Sequence, residues 1–373
     1  MSTACIITLQ GDNFGATLQA VALNYIVNSY GITTENLDYN DIYRVKQGLT
    51  GFQKIKNSIW KNVMVRLIAG EKRKKSFDQF REKYLPLSDK SWNSKEKLMS
   101  NPPDYDVYIS GSDQIWNPNV NQGDYNYLLA FVPDGKRKIS YASSFGKKSL
   151  EKHLWNEYKN FLMRYDAIGV RETSGVDIIR TIAGLQAETV LDPTLLLDQN
   201  QWRLMSGCAN EKEPYILTYY MPGDKKVCKA IASIAKKLSQ KTNLHIINLG
   251  QREYYRLLPW IDSRVTAGPA EFLNLFLNAS YIITNSFHGT AFATNFHKPL
   301  CVPINGCLDN QTARHTRIVD YLHLIGLDNA IVTVDRDGQY TQPAFPHNYT
   351  KVSQRLCEKR NESLEFLVNA IGL

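Results

Sequence analysis

The sequence has no apolar run approaching the roughly 20 residues that a membrane-spanning helix needs. It has no CxxC pair, and its six cysteines (Cys5, Cys208, Cys228, Cys301, Cys307 and Cys357) fall at no zinc-ligand spacing. They read as reduced thiols, and neither a structural metal nor a bound cofactor is expected. No GxGxxG follows a strand and no Walker A loop occurs, which disfavours dinucleotide and P-loop binding. An RNA-binding aromatic motif, a helix-turn-helix and a zinc finger are all missing, so nucleic acid is not an expected partner. The opening residues, "MSTACIITLQGDNFG", carry no basic n-region and no small-residue cleavage site. A secretory leader is therefore not expected, and the cytoplasm is the expected location. Internal repeats and low-complexity tracts are also lacking.

What is present is 373 residues, more than one core usually supports, so two domains are expected. Hydrophobic residues at 43% and charged residues at 21% give the balance of a globular chain. The net charge of +8 suits an anionic partner. Its densest block is "GEKRKKSFDQFREKY", Gly70 to Tyr84, which reads first as a solvated helix face. Just upstream, "IKNSIWKNVMVRLIAG" mixes apolar and basic residues in the manner of a segment that lies on an anionic membrane surface.

Short apolar runs, many of them β-branched, alternate with longer helical patterns. "ACIITLQ", "DVYISG", "KISYASS", "AIGVRE" and "ETVLD" are strand candidates in the first half; "YILTYY", "LHIINLG", "YIITNS" and "LCVPIN" are their counterparts in the second. Between them lie helix-like stretches such as "ATLQAVALNYIVNSYG" and "VCKAIASIAKKLSQKT". That alternation predicts an α/β fold of two doubly wound parallel sheets flanked by helices. The junction is placed at "LDPTLLLDQNQWRLMSG", giving domains 1–197 and 198–373, with the terminal helix able to pack back on the first. Residues 41–100 break the rhythm and read as a basic, mostly helical insertion.

Ligands of open α/β sheets bind where strands end and helices begin. Five such loops carry polar residues. "QGDNFGATLQA" offers Asn13, Gln19 and small residues that let backbone N–H groups approach an anion. "SGSDQIWNP" offers Asp113, Gln114 and Trp116, as a cap with a core tryptophan or as groups facing a sugar. "YASSFG" places Ser143 and Ser144 at a strand end, where paired hydroxyls suit a phosphate or a sugar. "IGVRETSG" places Arg171 at another, suited to bidentate capture of a carboxylate or phosphate, or to a structural pair with Glu172 or Asp192. "YIITNSFHGTAFATNF" sets Ser286 and His288 between a strand and a helix that opens with Gly289 and Thr290. His288 is then either a proton-transfer group or a side chain where a strand turns into a helix. Downstream, "LDNQTARHTRIVDYL" holds Arg314 and Arg317, either surface charge or part of an anion site.

Taken in order, "DNFGATLQAVAL", "GSDQIWNP", "YASSFG", "VRETSG" with "VLDPTLLL", the "NSFHGTAFATNFHKPL" stretch and "TRIVDYL" resemble the polysaccharide pyruvyl transferase family over nearly the whole chain. The resemblance implies a GT-B-like fold, two Rossmann-like domains facing across a cleft. It also implies a ketal pyruvyltransferase that moves the carboxyethylidene unit of phosphoenolpyruvate onto two hydroxyls of a sugar, releasing phosphate. By the same resemblance His288 is the catalytic residue. The donor falls to Arg171, Ser286, Gly289, Thr290, Arg317, Arg314, Ser143 and Ser144, and the acceptor to Asn13, Gln19, Asp113, Gln114 and Trp116. Surface polysaccharide assembly implies a lipid-linked acceptor, which the basic segment at 51–84 would suit. One position departs from the pattern: several members place an arginine two residues before the histidine, where this chain has Ser286. Two other readings follow the same residues. One is a GT-B glycosyltransferase using a nucleotide sugar, with Glu271 as its ribose-binding candidate. The other is a catalytically inactive binding protein of the same fold.

Overall fold

The computed structural model describes residues 2–39, 60–208, 211, 213–249, 260–306 and 313–373, with side chains described from 69 and from 316 where a segment opens inside a helix. Two compact units emerge: Met1–Ile68, Phe77–Leu196 and Lys359–Leu373 form the first, and Ala69–Ser76 and Leu197–Glu358 form the second.

The first unit is built on seven strands: β1 (Thr3–Ile7), β2 (Thr33–Tyr39), β3 (Leu87–Trp92), β4 (Val107–Ser110), β5 (Arg137–Ser143), β6 (Ala167–Val170) and β7 (Glu188–Thr189). They pair in the order β3-β2-β1-β4-β5-β6-β7, and every pair is parallel. Strands β1 and β4 are almost unbroken apolar runs because helices cover both faces of such a sheet. The accompanying helices are α1 (Phe14–Ser29), α2 (Trp60–Tyr84), α3 (Lys95–Ser100), α4 (Pro118–Asn121), α5 (Trp155–Leu162) and α6 (Thr173–Ala183). Helix α1 is apolar nearly all round and is buried over most of its length, as a central crossover helix must be.

Residues 41–100 are not wholly helical: β3 within them extends the sheet at its edge. In "LSDKSW" only Ser88 and Trp92 turn inward, so the strand lacks the apolar signature of its neighbours. Most of the basic amphipathic segment from 51 lies outside the described residues or their side chains. The basic block that follows is not a plain solvated face. Phe77 and Phe80 are buried, and Phe77 packs against Phe14 at 5.3 Å between ring centroids. Arg81 donates to the Gly11 carbonyl at 3.2 Å and to Asp12 at 3.0 Å. None of the described helices is long and apolar enough to cross a membrane.

The second unit repeats the plan with β8 (Tyr215–Tyr219), β9 (His245–Asn248), β10 (Ile261–Ser263), β11 (Tyr281–Thr284), β12 (Leu300–Asn305) and β13 (Ile331–Val334). Their order is β10-β9-β8-β11-β12-β13, again parallel throughout. Helices α7 (Gln199–Met205), α8 (Lys225–Thr242), α9 (Pro269–Asn278), α10 (Phe287–Asn295) and α11 (Ala313–Ile325) pack around it. Phe272 stacks on Phe276 at 4.4 Å, and Phe292 meets both Phe272 and Trp202 edge-on, so α7, α9 and α10 share one aromatic core. The last helix, α12 (Tyr349–Ile371), ends in the first unit. There Arg360 donates to the Leu195 carbonyl at 2.7 Å, Ser363 accepts from the Leu191 N–H at 3.0 Å, and Phe366 lies so close to Gly169 that a Cβ there would sit 2.6 Å from its ring.

His347, in the segment before α12, is held neutral by its surroundings. Its Nε2 donates to the Leu300 carbonyl at 2.6 Å, and its Nδ1 is buried with no acceptor beside it. Burial outweighs that hydrogen bond and lowers its pKa below the ordinary histidine value. Unfolding therefore takes up a proton as pH drops, so stability should be full above about pH 6.5 and decline below it. Urea unfolding between about pH 7 and pH 5 should show that decline, and His347→Gln should flatten it. An unchanged pH slope in the variant would count against the assignment.

Candidate active site

In a doubly wound sheet the ligand crevice opens where the strand order reverses, at the carboxyl ends of the two strands on either side. In the second unit these are β8 and β11. Asn285, just beyond β11, joins their two loops: its Oδ1 accepts from the Met221 N–H at 2.7 Å, and its Nδ2 donates to the Met221 carbonyl at 3.2 Å. The next residue, Ser286, is the N-cap of α10 and accepts from the Gly289 N–H at 3.3 Å. The Thr284 hydroxyl accepts from the Ser286 N–H at 3.1 Å, fixing the turn from the strand side. Gly289 is required by close packing, since a Cβ would lie 2.4 Å from Thr284 Oγ1 and 2.9 Å from the Tyr219 ring. His288 thus stands in the first turn of a helix whose start is fixed to two strands. It is partly buried, with Nε2 enclosed, while the residues around it are fully buried.

Arg317, on α11, reaches this turn. Its guanidinium lies 6.0 Å from the centre of the Phe287 ring, and it is buried. Tyr321, one helical turn on, packs edge-on against Phe287 at 5.8 Å between ring centroids and shares a 2.6 Å hydrogen bond with Thr294. Thr290 is fully buried and donates back to the Ser286 carbonyl at 2.9 Å, so its hydroxyl is committed to the helix. The side chain of Arg314 lies outside the described residues. Glu271, half-buried on α9, is 3.5 Å from Arg264, and burial raises its pKa despite that arginine.

In the first unit the reversal falls between β1 and β4. Here a buried polar network ties the ends of β4, β5 and β6 together. Arg171 pairs with Asp192 at 3.2 Å and donates to Ser112 at 2.8 Å, with both partners of the pair almost wholly removed from solvent. Asp192 also caps the turn at Thr194, and Ser112 donates to it at 3.2 Å. Breaking such a pair strands a buried charge, at about 3–5 kcal/mol. Glu172 accepts from the Ser144 hydroxyl at 2.7 Å and from the Gly146 N–H at 3.2 Å. Asp113 is the open member: its side chain keeps 21% exposure and lies 3.6 Å from Arg171. Its backbone has φ 75°, and it bridges to Ser143. A non-glycine residue there is strained, and the surrounding hydrogen bonds hold it.

Several residues expected to meet a ligand are turned inward instead. Trp116 is fully buried, donates to the Tyr127 carbonyl at 3.0 Å and packs against Phe145 and Tyr165, so no ring face is open to a sugar. Gln19 is buried and donates to Thr8 and to the Ala16 carbonyl. Ser143 and Ser144 are buried too, the first donating to the Ser110 and Gly111 carbonyls. Asn13 caps α1, and Gln114 accepts from Asn117 at 2.9 Å. Sequence reasoning overlooked Asn285. Its only signal is that the single residue between strand β11 and the N-cap is polar.

Two doubly wound parallel sheets make this an α/β protein of GT-B-like fold, and a solved structure agrees. The chain is similar to the UDP-GlcNAc 2-epimerase of Methanocaldococcus jannaschii in complex with UDP-GlcNAc and UDP, at 12% identity and TM-score 0.51, covering 96% of this chain and 99% of that one. It is also similar to the E. coli heptosyltransferase WaaC with ADP, at 9% identity and TM-score 0.44, covering 96% and 99%. At 12% identity the likeness to the epimerase carries the fold alone. No curated protein matches the chain. The family model for polysaccharide pyruvyl transferase matches residues 13–304. The chain belongs to the polysaccharide pyruvyl transferase family and is a transferase.

If Asn285 sets the position of α10, Asn285→Ala should cost about 1–3 kcal/mol by removing two hydrogen bonds to part-buried backbone groups of Met221. Chemical denaturation should show the loss as a lower midpoint, and an unaltered midpoint would remove the clamp from the account.

Proposed function

We propose that the protein transfers the carboxyethylidene unit of phosphoenolpyruvate to two hydroxyls of a sugar, forming a pyruvate ketal and releasing phosphate. The observation that carries this reading is a partly buried histidine fixed in the first turn of α10, with the buried Arg317 against the ring of the preceding Phe287. Phosphoenolpyruvate brings a carboxylate and a phosphate. A helix N-terminus and an arginine are the groups that hold such anions. Ser286 leaves this turn without the arginine that several family members place there, and Arg317 supplies the charge from α11.

The chemistry needs one group that gives and takes protons in turn. Protonated His288 donates to the donor's methylene carbon, which becomes a methyl group and leaves C2 electrophilic. The first sugar hydroxyl adds to C2 and its proton returns to His288. That proton then goes to the bridging oxygen as the C2–O bond to phosphate breaks. The second hydroxyl closes the ketal and reprotonates His288. The two hydroxyl protons thus end on the methyl group and on phosphate, and His288 is regenerated.

Asp113, with Arg171 behind it, is assigned to the acceptor as the partly open carboxylate of the first unit's buried network. Arg171 itself acts by positioning, because its side chain is enclosed by Asp192 and Ser112. The acceptor is assigned as a sugar on a lipid carrier at the cytoplasmic membrane face. Exposed Lys72, Lys74 and Lys75 on α2 would each add about 1 kcal/mol of attraction to anionic headgroups.

The test is incubation with phosphoenolpyruvate and a panel of galactosides, mannosides and hexosaminides, free and lipid-linked, reading phosphate release and ketal mass. Turnover is expected with at least one acceptor. His288→Ala should lose turnover by about 10²-fold or more while still binding the donor. Stabilisation by a nucleotide sugar, with no phosphate release from any acceptor, would overturn the reading.

A further inference from the structure

Helix α8 ends at the amino edge of the second sheet, the edge opposite the turn that carries His288. Its last residue, Thr242, leads toward β9, Tyr281 opens β11, and Pro299 immediately precedes β12. These residues border a pocket of about 390 Å³. That size falls within the roughly 300–1,000 Å³ of small-molecule sites. Its walls are fixed by local contacts. The Tyr340 hydroxyl shares a 3.0 Å hydrogen bond with Ser233 on α8, and Tyr340 bridges to Val334 at the end of β13. Phe345 packs edge-on against Tyr281 at 5.2 Å between ring centroids. Thr242 donates to the Leu238 carbonyl at 2.8 Å, closing the last turn of the helix.

Charge of one sign surrounds the pocket. Helix α8 carries lysines along its length and no acidic residue, and no carboxylate lines the pocket. Lys237 holds its Nζ 5.0 Å from the centre of the Tyr340 ring, and Lys241, one helical turn later, lines the same pocket. Among the described residues, neither lysine pairs with an acidic side chain. A lysine near a helix C-terminus and a lysine over a ring are each ordinary features. Here both stand beside three aromatic side chains in one concavity, which matches a ligand anionic at one end and a flat ring at the other. A lysine ammonium, a point charge with rotatable donors, suits a terminal phosphate. The Gln342 amide offers a donor and an acceptor to a ring edge.

We propose that this pocket binds a nucleoside monophosphate, with the base against the aromatic wall and the phosphate at Lys237 and Lys241. It lies at the opposite end of β11 from Asn285, so its ligand is neither the donor nor the acceptor of the transfer reading. Calorimetric titration of the full chain with AMP and UMP, alongside adenosine, uridine and inorganic phosphate, tests the assignment. At least one nucleotide should bind about tenfold more tightly than its nucleoside and than phosphate. Lys237→Gln and Lys241→Gln change exposed side chains and should fold normally, which circular dichroism and thermal melting would check. Each should weaken nucleotide binding about fivefold or more and reduce its sensitivity to salt. Photolabelling with an azido derivative of AMP should mark peptides containing Tyr281, Tyr340 or Phe345, and excess phosphoenolpyruvate should not prevent it. Absence of nucleotide binding, a nucleoside or phosphate that binds as tightly as the nucleotide, unchanged affinity in both lysine variants, or labelling confined to other peptides would each overturn the site.

Discussion

The amide of Asn285 bonds both backbone groups of Met221, and the proposed chemistry depends on that clamp. It crosses the one place in the second sheet where neighbouring strands send their connections in opposite directions. The clamp ties the loops after β8 and β11 to each other above the strands that carry them. With it, the N-cap at Ser286, the close packing at Gly289 and the first turn of α10 follow from one fixed point. His288 inherits its position from the backbone, and Arg317 arrives from α11 through its contact with Phe287.

The first unit reaches rigidity by other means. Its strand ends are joined by charges withdrawn from water, Arg171 with Asp192 and Glu172 with Ser144 and Gly146. Such an arrangement is costly to assemble and strongly destabilised by the loss of one member. It leaves one carboxylate, Asp113, partly open on a strained backbone. The two units thus divide the labour proposed here: a proton-transfer histidine with an arginine in one, and hydroxyl-holding groups in the other.

The fold was legible because parallel strands buried on both faces leave uninterrupted apolar runs. "ACII", "VYIS" and "YIIT" could scarcely be anything else, and two α/β halves follow from their order. A strand without that signature was hidden: β3 turns only Ser88 and Trp92 inward. The candidate site was legible as motifs but not as directions. Residue type does not say whether a side chain at a strand end points to solvent or back into the sheet. Trp116, Gln19, Ser143 and Ser144 point back, and only tertiary packing decides this. Asn285 was overlooked for the complementary reason: its partner, Met221, is 64 positions away along the chain.

The central claim is that a helix N-terminus and Arg317 together hold an anionic donor where other family members use an arginine in the histidine turn. Calorimetric titration of phosphoenolpyruvate into the wild-type protein and Arg317→Ala addresses it most directly. Loss of a charge-assisted contact worth about 1.5–3 kcal/mol should weaken binding by roughly 10- to 100-fold. Equal affinity in the two proteins would contradict the account.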